Sequence, residues 1–572
     1  MKSLRALFTL KVSIPIFILV FLLAGIQPAA PAAAQNTPVP ATTIERVNKL
    51  FAEWDTWNSP GASLAVFKEG EIIYKRGFGS AQLEYNVPIT PATIFHVASV
   101  SKQFTAFAVA LLASQGKLSW DDAVRKHIPE VPDFGKPITL RHLVHHTSGL
   151  RDQWELLAMA GWRLDDVITK DHILKMVRHQ KELNFDPGAE YLYCNTGFTL
   201  LAEVVARVTG QPFPKWMEEN VFKPLAMSNT HFHDDHEMIV PNRAYSYAPK
   251  EGGGFKNSVL RYANAGATSL FTTAEDLTRW MGNFFDARVG GPGVIRQMQE
   301  QGILNDGKTI DYAFGLMIGQ YRGLKTVGHS GADAGYRSNV VWFPDRKFGV
   351  AILSNLGTMD PGGLALKVAD VYLADQLAPE KAETSEAPAI NAKINPILYD
   401  DYAGKYQIRD GPMVTITREK DKLMGEVSGM PKFEFTPESE TVFSVKILSA
   451  KISFEKDKAG KTIQFFLQQG GQKTPAKRLE PPVLTPEELG KYAGDYFSEE
   501  LGTTYSLTVQ GAKLVAQHRR NEDAILSPME PDVFAGDQWY FGKVKFTRDG
   551  SRRITGFLLT GSRARNLRFV KK

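Results

Sequence analysis

Ser99-Val100-Ser101-Lys102 is the segment of this 572-residue chain whose residue types and spacing most directly suggest chemistry. On a helix, a separation of three residues puts the Ser99 hydroxyl and the Lys102 amine on one face. A serine hydroxyl is barely ionised at neutral pH and needs an adjacent base, which a desolvated lysine can supply. A helix N-terminus adds unpaired N–H groups and a positive dipole end, both favourable to a developing oxyanion and to a lowered lysine pKa. Alone, such a pair is a common coincidence. Two distant segments add to it. Pro187-Gly188 leads into Tyr191-Leu192-Tyr193-Cys194-Asn195, which places a Tyr-x-Asn ahead of an apolar helix expected over Phe198–Val208. Thr326-Val327-Gly328-His329-Ser330-Gly331 precedes a strand pair expected near residue 340.

The elements that must position these residues are legible in the apolar pattern. Phe104, Phe107, Ala108, Leu111 and Leu112 recur at helical spacing, predicting a helix over Ser99–Gln115 that Gly116 ends. Ala62–Phe67 and Glu71–Lys75, joined by Lys68-Glu69-Gly70, read as a β-hairpin. Asn339–Phe343 and Phe348–Leu353, joined by Pro344-Asp345-Arg346-Lys347, read as a second, followed by a helix around Leu364–Gln376. Thr272-Thr273-Ala274-Glu275-Asp276 has capping-box spacing for a helix burying Leu277 and Trp280. Helices in mid-chain with hairpins at both ends predict an α+β domain whose antiparallel sheet joins the two ends.

Ala378–Pro396 is rich in Ala, Pro and Glu and reads as a linker. Beyond it the chain repeats: Tyr402-Ala403-Gly404-Lys405-Tyr406 returns as Tyr492-Ala493-Gly494-Asp495-Tyr496, an offset of 90. Ile463–Leu467 resembles Ile554–Leu558, and Lys477-Arg478-Leu479 resembles Leu567-Arg568-Phe569. Short alternating strands without a convincing helix predict two small closed or sandwich-like all-β domains. No nucleophile–base cluster falls inside either copy. A loop from one copy is expected to reach the cleft of the preceding domain.

Composition excludes several classes. With 43% hydrophobic and 23% charged residues, the chain is neither disordered nor collagen-like. Lys2, Arg5 and Lys11 precede an apolar run, Val12–Ile26, and the small residues Pro28–Ala34. This is the layout of a cleavable secretory signal, with cleavage expected after Ala34. The run of about 15 residues, interrupted by Pro15, falls short of the roughly 20 needed to span a bilayer. The mature chain is therefore expected to be secreted or periplasmic, without membrane attachment. Losing those three cations takes the formal charge from +5 to +2, which provides no electrostatic reason to expect nucleic acid. The single cysteine, Cys194, excludes an intramolecular disulfide and structural Cys-rich zinc sites.

Taken in order, Ser-x-x-Lys, Tyr-x-Asn and His-Ser-Gly resemble the three-part active site of serine β-lactamases and penicillin-recognising enzymes. Leu140–Leu150, with His145-His146-Thr147-Ser148-Gly149, and Gly116–Asp122 also resemble family sequence. Residues from about 42 to 378 are thus similar to the serine β-lactamase-related family, on the branch of class C enzymes, esterases and D-stereospecific peptidases. The resemblance implies an antiparallel sheet flanked by helices, with the site between the sheet edge and a helical region. D-aminopeptidases of that branch carry two β-barrel domains after the catalytic one. The expected organisation is a signal peptide over 1–34, the hydrolase domain over 42–378, a linker over 379–396, and barrel-like repeats over 397–480 and 485–572.

By that resemblance Ser99 attacks a carbonyl and becomes acylated. Lys102 and Tyr193 share the proton transfers, with Tyr193 polarised by the nearby ammonium to act as base. Asn195 holds the substrate amide and fixes Lys102, and the N–H groups of Ser99 and Ala332 form the oxyanion hole. His329, Ser330 and Gly331 line the substrate strand. His329 stands where many β-lactamases have lysine, a permanent cation suited to a penicillin carboxylate, whereas histidine is mostly neutral at pH 7. No metal and no cofactor are implied.

Other candidates have plainer readings. Ser101 and Ser148 are expected to be structural, Cys194 to point into the helical region, and His145 and His146 to satisfy loop backbone groups. His231-Phe232-His233-Asp234-Asp235-His236 fits an H-x-H-x-D-H zinc pattern but lacks the further downstream ligands, and reads as a polar surface loop. The expected function is an exported serine hydrolase, a D-stereospecific peptidase or aminopeptidase, acting on a small peptide, amide or ester. A carboxylesterase or β-lactamase on the same apparatus, and a catalytically idle cell-wall peptide-binding protein, are the alternatives. These features are compatible with an oligomer.

Overall fold

A computed structural model describes residues 39–379, 398–408, 413–427, 432–445, 450–469, 472–480 and 482–572. The proposed signal segment and most of the linker lie outside the described residues. Strand β1 (Ala62–Lys68) is apolar almost throughout and sits between two neighbours, β2 (Glu71–Phe78) and a strand from far down the chain. Strands β3 (Met317–Tyr321), β4 (Leu324–Asp333), β5 (Tyr336–Phe343) and β6 (Phe348–Ser354) complete a six-stranded antiparallel sheet in the order β3-β4-β5-β6-β1-β2. Ala62 pairs with Ser354 and Lys68 with Phe348, so the sheet joins both ends of the domain, as the hairpin pattern predicts.

Alternation along β1 assigns its two faces. Ala62, Leu64 and Val66 pack with Val47 and Phe51 of helix α1 (Ala41–Leu50) and its extension, and with Val368 of a C-terminal helix, Pro361–Tyr372. Ala65 and Phe67 face the opposite core, which holds Trp280 of the helix Ala274–Asp286. That helix starts where expected, the Thr273 hydroxyl accepting the Asp276 N–H. The central helix α2 (Ser101–Ser114) is preceded by a 3-10 turn over Ala98–Val100, and Gly116 leaves it with φ +69°. Almost every α2 side chain is buried, and it packs on a second apolar helix, α3 (Asn195–Thr209).

Both repeats close into eight-stranded barrels, one spanning strands Gly404–Ile408 to Gln472–Leu479, the other Gly494–Ser498 to Leu567–Lys571. The duplicated Tyr-Ala-Gly-x-Tyr performs one task twice. The Tyr406 hydroxyl donates to the Tyr402 carbonyl at 2.8 Å, and the Tyr496 hydroxyl to the Tyr492 carbonyl at 2.8 Å. Each inner tyrosine is buried with its polar end satisfied, locking the entry of the chain into its barrel. The second barrel lies against the helical region of the catalytic domain. Tyr505 donates to the Met159 carbonyl, Asn521 to the Ala158 carbonyl, and Arg520 pairs with Asp166 at 2.6 Å. Among the described residues no helix is long and apolar enough to cross a membrane.

Candidate active site

Ser99 sits in the 3-10 turn that opens α2, directly after Ala98, whose φ of +48° is left-handed. That conformation costs a non-glycine residue roughly 1–2 kcal/mol. It is held by Ser101, whose hydroxyl donates to the Ala98 carbonyl at 2.5 Å and accepts the Leu270 N–H at 3.0 Å. Ser101 is thus structural, and it presents the neighbouring Ser99 to the cleft.

Lys102, one turn along, is fully buried. Its Nζ lies 3.0 Å from Ser99 Oγ, 2.8 Å from Asn195 Oδ1 and 2.8 Å from the Ala267 carbonyl. The orientation of Asn195 is fixed in turn, because its backbone N–H and its Nδ2 both donate to Asp152 Oδ2, at 2.7 and 2.8 Å. With Nδ2 so committed, Oδ1 must face the lysine. Burial pushes the Lys102 pKa down to about 7, the effect being partly offset by the charges of Asp333 and Asp152. A neutral amine has two N–H donors and a lone pair. Asn195 Oδ1 and the Ala267 carbonyl take the two donors, which leaves the lone pair for the Ser99 O–H.

Tyr193 comes from the turn before α3. The Ser99 side chain interacts with its phenol, and Lys102 Nζ stands 4.8 Å from its ring centroid. Burial raises the phenol pKa well above its ordinary value, an effect partly offset by the hydrogen bond with Ser99 and by the Arg563 charge. The His146 ring tilts against that of Tyr193 with centroids 4.2 Å apart, and its Nδ1 accepts the Cys194 N–H. Cys194 points inward, its thiol on the Leu150 carbonyl.

His329, Ser330, Gly331 and Ala332 lie on β4, paired with Val340, Asn339, Ser338 and Arg337 of β5. A Cβ on Gly331 would fall 2.3 Å from the Val97 carbonyl oxygen and 3.0 Å from the Ser99 nitrogen. Glycine therefore lets the strand approach the Ser99 N–H, while Ser330 and Ala332 stay exposed along the mouth. His329 is buried, and burial together with Lys102 pushes its pKa down to about 4. With Nδ1 donating to the Ser330 carbonyl at 2.5 Å, Nε2 accepts from the Tyr312 hydroxyl at 3.0 Å. His329 is a neutral, fully bonded residue of the wall, not a cation.

The sequence reading missed Asp152 and Arg563. Asp152 lies two residues past the His145–Leu150 segment and caps the next helix through the Trp154 N–H. That N-cap position was its available signal. Arg563 gave none: it comes from the loop between strands Ile554–Thr560 and Leu567–Lys571 of the second barrel, and its guanidinium lies 5.1 Å from the Tyr193 ring centroid. A repeat loop reaching the cleft was expected, and this is the loop. It is tied down by its backbone: the Ser562 and Arg563 N–H groups donate to Glu155, the Arg563 carbonyl accepts from Asn184 and Asp152, and the Arg565 carbonyl accepts from Arg151.

One further correction concerns the histidine cluster. His231-Phe232 forms a short strand paired with Phe271-Leu270, and His233 is only 3% exposed. The His231 and His233 rings pack on Phe271, His231 partly and His233 fully buried, while Asp234, Asp235 and His236 form the exposed polar loop that was expected. Among the described residues no group of three metal-ligating side chains converges.

A serine placed in a strained turn, backed by a buried lysine of lowered pKa, a buried tyrosine and a glycine-bearing strand edge, defines a serine hydrolase. The chain belongs to the Beta-lactamase family, whose model matches residues 47–373. It is 29% identical over 437 residues to "Penicillin-binding protein 4*" of Bacillus subtilis (strain 168), covering 72% of this chain and 93% of that protein. It is 26% identical over 517 residues to the "D-aminopeptidase" of Brucella anthropi, covering 87% of this chain and 93% of that protein. Among solved structures, the octameric penicillin-binding protein homologue from Pyrococcus abyssi superposes with a TM-score of 0.55 at 22% identity, over 84% of this chain and 98% of that one. The D-amino acid amidase from Ochrobactrum anthropi SV3 does so at 0.51 and 21% identity, over 59% of this chain and 99% of that one. These likenesses establish the fold: an α+β catalytic domain followed by two barrels.

Proposed function

We propose that the protein is an exported D-stereospecific amidohydrolase of aminopeptidase type that works through an acyl-enzyme on Ser99. The observation that carries this reading is the Ser99–Lys102–Tyr193 constellation with a second-barrel loop fixed beside it, the Arg563 guanidinium 5.1 Å from the Tyr193 ring centroid. Similarity to the D-aminopeptidase of Brucella anthropi runs through the barrels as well as the catalytic domain, which supports it. The neutral His329 weighs against efficient β-lactam hydrolysis by the lysine-bearing mode. The basic, apolar and small-residue layout of residues 1–34 supports export.

In the proposed cycle Ser99 Oγ attacks the acyl carbonyl while its proton passes to the free amine of Lys102. The carbonyl oxygen gathers negative charge between the N–H groups of Ser99 and Ala332. The C–N bond then breaks, the departing amine taking a proton from the Tyr193 hydroxyl, which Lys102 reprotonates. Water repeats the sequence on the ester: its proton goes to Lys102, its oxygen to the acyl carbon, and Ser99 leaves with the proton restored. Asn195 holds the lysine, and Asp152 holds Asn195.

A hydrolysis panel of D- and L-aminoacyl amides, p-nitrophenyl esters and nitrocefin, run on wild type and Ser99→Ala, tests this. Turnover confined to D-aminoacyl amides and lost in Ser99→Ala is the expected result. Ester hydrolysis without amide hydrolysis would identify a carboxylesterase, and full activity of Ser99→Ala would end the acyl-enzyme reading.

A further inference from the structure

Asp333 follows Ala332, the second oxyanion donor, on β4 and takes no part in the proposed cycle. Its carboxylate is the meeting point of three segments. Oδ2 accepts from His96 Nε2 at 2.9 Å and from the Thr268 hydroxyl, and Thr268 Oγ1 in turn lies 3.1 Å from His96 Nε2. His96 and Thr268 are buried, and the Asp333 side chain is 16% exposed. Each partner is a short step of chain from a reacting group. His96 lies on a short strand, Phe95–His96, that leads into the Ala98–Val100 turn presenting Ser99. Thr268 follows Ala267, whose carbonyl accepts from Lys102 Nζ at 2.8 Å. One oxygen atom therefore pins the nucleophile turn, the acceptor of the lysine and the oxyanion strand to each other.

The carboxylate also faces the lysine as a charge. Around the fully buried Lys102, Asp333 and Asp152 favour the ammonium and the Arg563 guanidinium opposes it. His146 and His329 are held neutral by burial, which also pushes the Cys194 thiol up to about 12 and the Tyr193 phenol above its ordinary value. Around Asp333 itself stand His96, the Tyr262 phenol, raised by burial, and Arg337 of β5. Arg337 spends Nη1 on the Ala334 and Tyr336 carbonyls, at 3.0 and 2.7 Å, and makes no ion pair with Asp333 among the described residues. In a low-dielectric interior such a charge acts over several ångströms, so removing it favours the free amine of Lys102.

We infer that Asp333 is a positioning residue of this active site, acting on Ser99 through His96 and on Lys102 both through Thr268 and across space. The inference rests on the proposed acyl-enzyme reading, to which it adds the residue that fixes its geometry. Asp333→Asn separates the two roles, since a side-chain amide oxygen can still accept from both donors while carrying no charge. Thr268→Val does the converse: it keeps the charge and the shape of the side chain and removes one donor.

The test is the rate at which a fluorophosphonate labels Ser99 of the full-length protein, followed from about pH 5 to 9 alongside the melting temperature. Wild type should label along a limb centred near 7. In Asp333→Asn the limb should move to lower pH by about 0.5–1 unit, with a plateau within about threefold of wild type. Thr268→Val should leave the limb in place and lower the plateau about 10-fold, a fraction of the roughly 10²-fold that a misplacement of about 1 Å can cost. A limb and a plateau unmoved in both variants, with only the melting temperature lowered, would mean that Asp333 merely holds the fold, and overturns the inference. So does a limb that moves to higher pH in Asp333→Asn. Wild type that is not labelled at any pH defeats the acyl-enzyme reading, and the junction falls with it, whereas labelled wild type with unresponsive variants defeats the junction alone.

Discussion

Arg151 and Glu500, 349 positions apart in the chain, form an ion pair of 2.6 Å with side chains only 1% and 7% exposed. The same guanidinium donates through Nε and its second terminal nitrogen to the Arg565 carbonyl, at 3.1 and 2.8 Å. One residue of the helical region thus anchors both a strand-connecting turn of the second barrel and the loop that carries Arg563. Removing one partner of such a pair leaves a buried charge uncompensated, which costs about 3–5 kcal/mol. Arg151→Met should therefore lower the unfolding free energy by that order and bring the denaturation midpoint down with it. It should also expose the Gly561–Asn566 loop to limited proteolysis; an unchanged midpoint and cleavage pattern would show that the anchor contributes nothing.

The lysine dictates a pH dependence. Only the free amine of Lys102 can accept the Ser99 proton, and its pKa is lowered to about 7. The kcat/KM for an amide substrate should rise with pH along a limb centred near 7 and then level off. His329 titrates near 4, and the Tyr193 phenol well above its ordinary value, so neither contributes a limb in between. Stability has the matching sign. Between about 7 and the ordinary lysine value of 10.5 the unfolded chain binds more protons than the folded one, so this group makes stability increase with pH across that window. Lys102→Arg, permanently charged, should abolish acylation and remove the limb. A wild-type profile flat from pH 6 to 8 would contradict the assignment.

Gly331 gives a geometric test. An added methyl would meet the Val97 carbonyl at 2.3 Å and approach the Ser99 nitrogen to 3.0 Å, so β4 must retreat from the oxyanion site. Gly331→Ala should cost on the order of 10²-fold in kcat, comparable to losing one oxyanion donor, while KM changes much less. Stopped-flow acylation with a chromogenic ester would resolve the step affected.

Asp152 acts on the chemistry through Asn195. Asp152→Ala removes both hydrogen bonds that orient the asparagine and the cap on Gln153–Met159, for about 1–3 kcal/mol of stability. With Nδ2 released, the amide is free to turn a donor towards Lys102, so the pH limb should move as well as the midpoint. A purely structural role would lower the melting temperature and leave the pH profile in place.

Much of this was legible along the chain, for local reasons. The hairpins at Ala62–Phe78 and Tyr336–Ser354, the capped helix after Thr273 and the helix beginning near Ser99 follow from side-chain periodicity and capping chemistry, which act over a few residues. The spacing of Ser99 and Lys102 on one helical turn, and the repeated Tyr-Ala-Gly-x-Tyr, are likewise written in the order of residues. Where periodicity was weak the reading held only in part: pairing of His231-Phe232 with Leu270-Phe271, and the His233 N–H on the Ser269 carbonyl, bury His233 and half-bury His231, while Asp234–His236 stay exposed.

Residue order alone therefore determined which side chains were available for chemistry and which elements carried them. Packing decided their states. Whether Lys102 is an ammonium or an amine, and Tyr193 a phenol or a phenolate, depends on how much water is removed around each, a property of the assembled core rather than of any segment. That Arg563 is the cation above the cleft depends on one barrel docking on the helices around Arg151 and Glu155. No local pattern encodes that contact, because it joins residues whose only link is the surface they bury together.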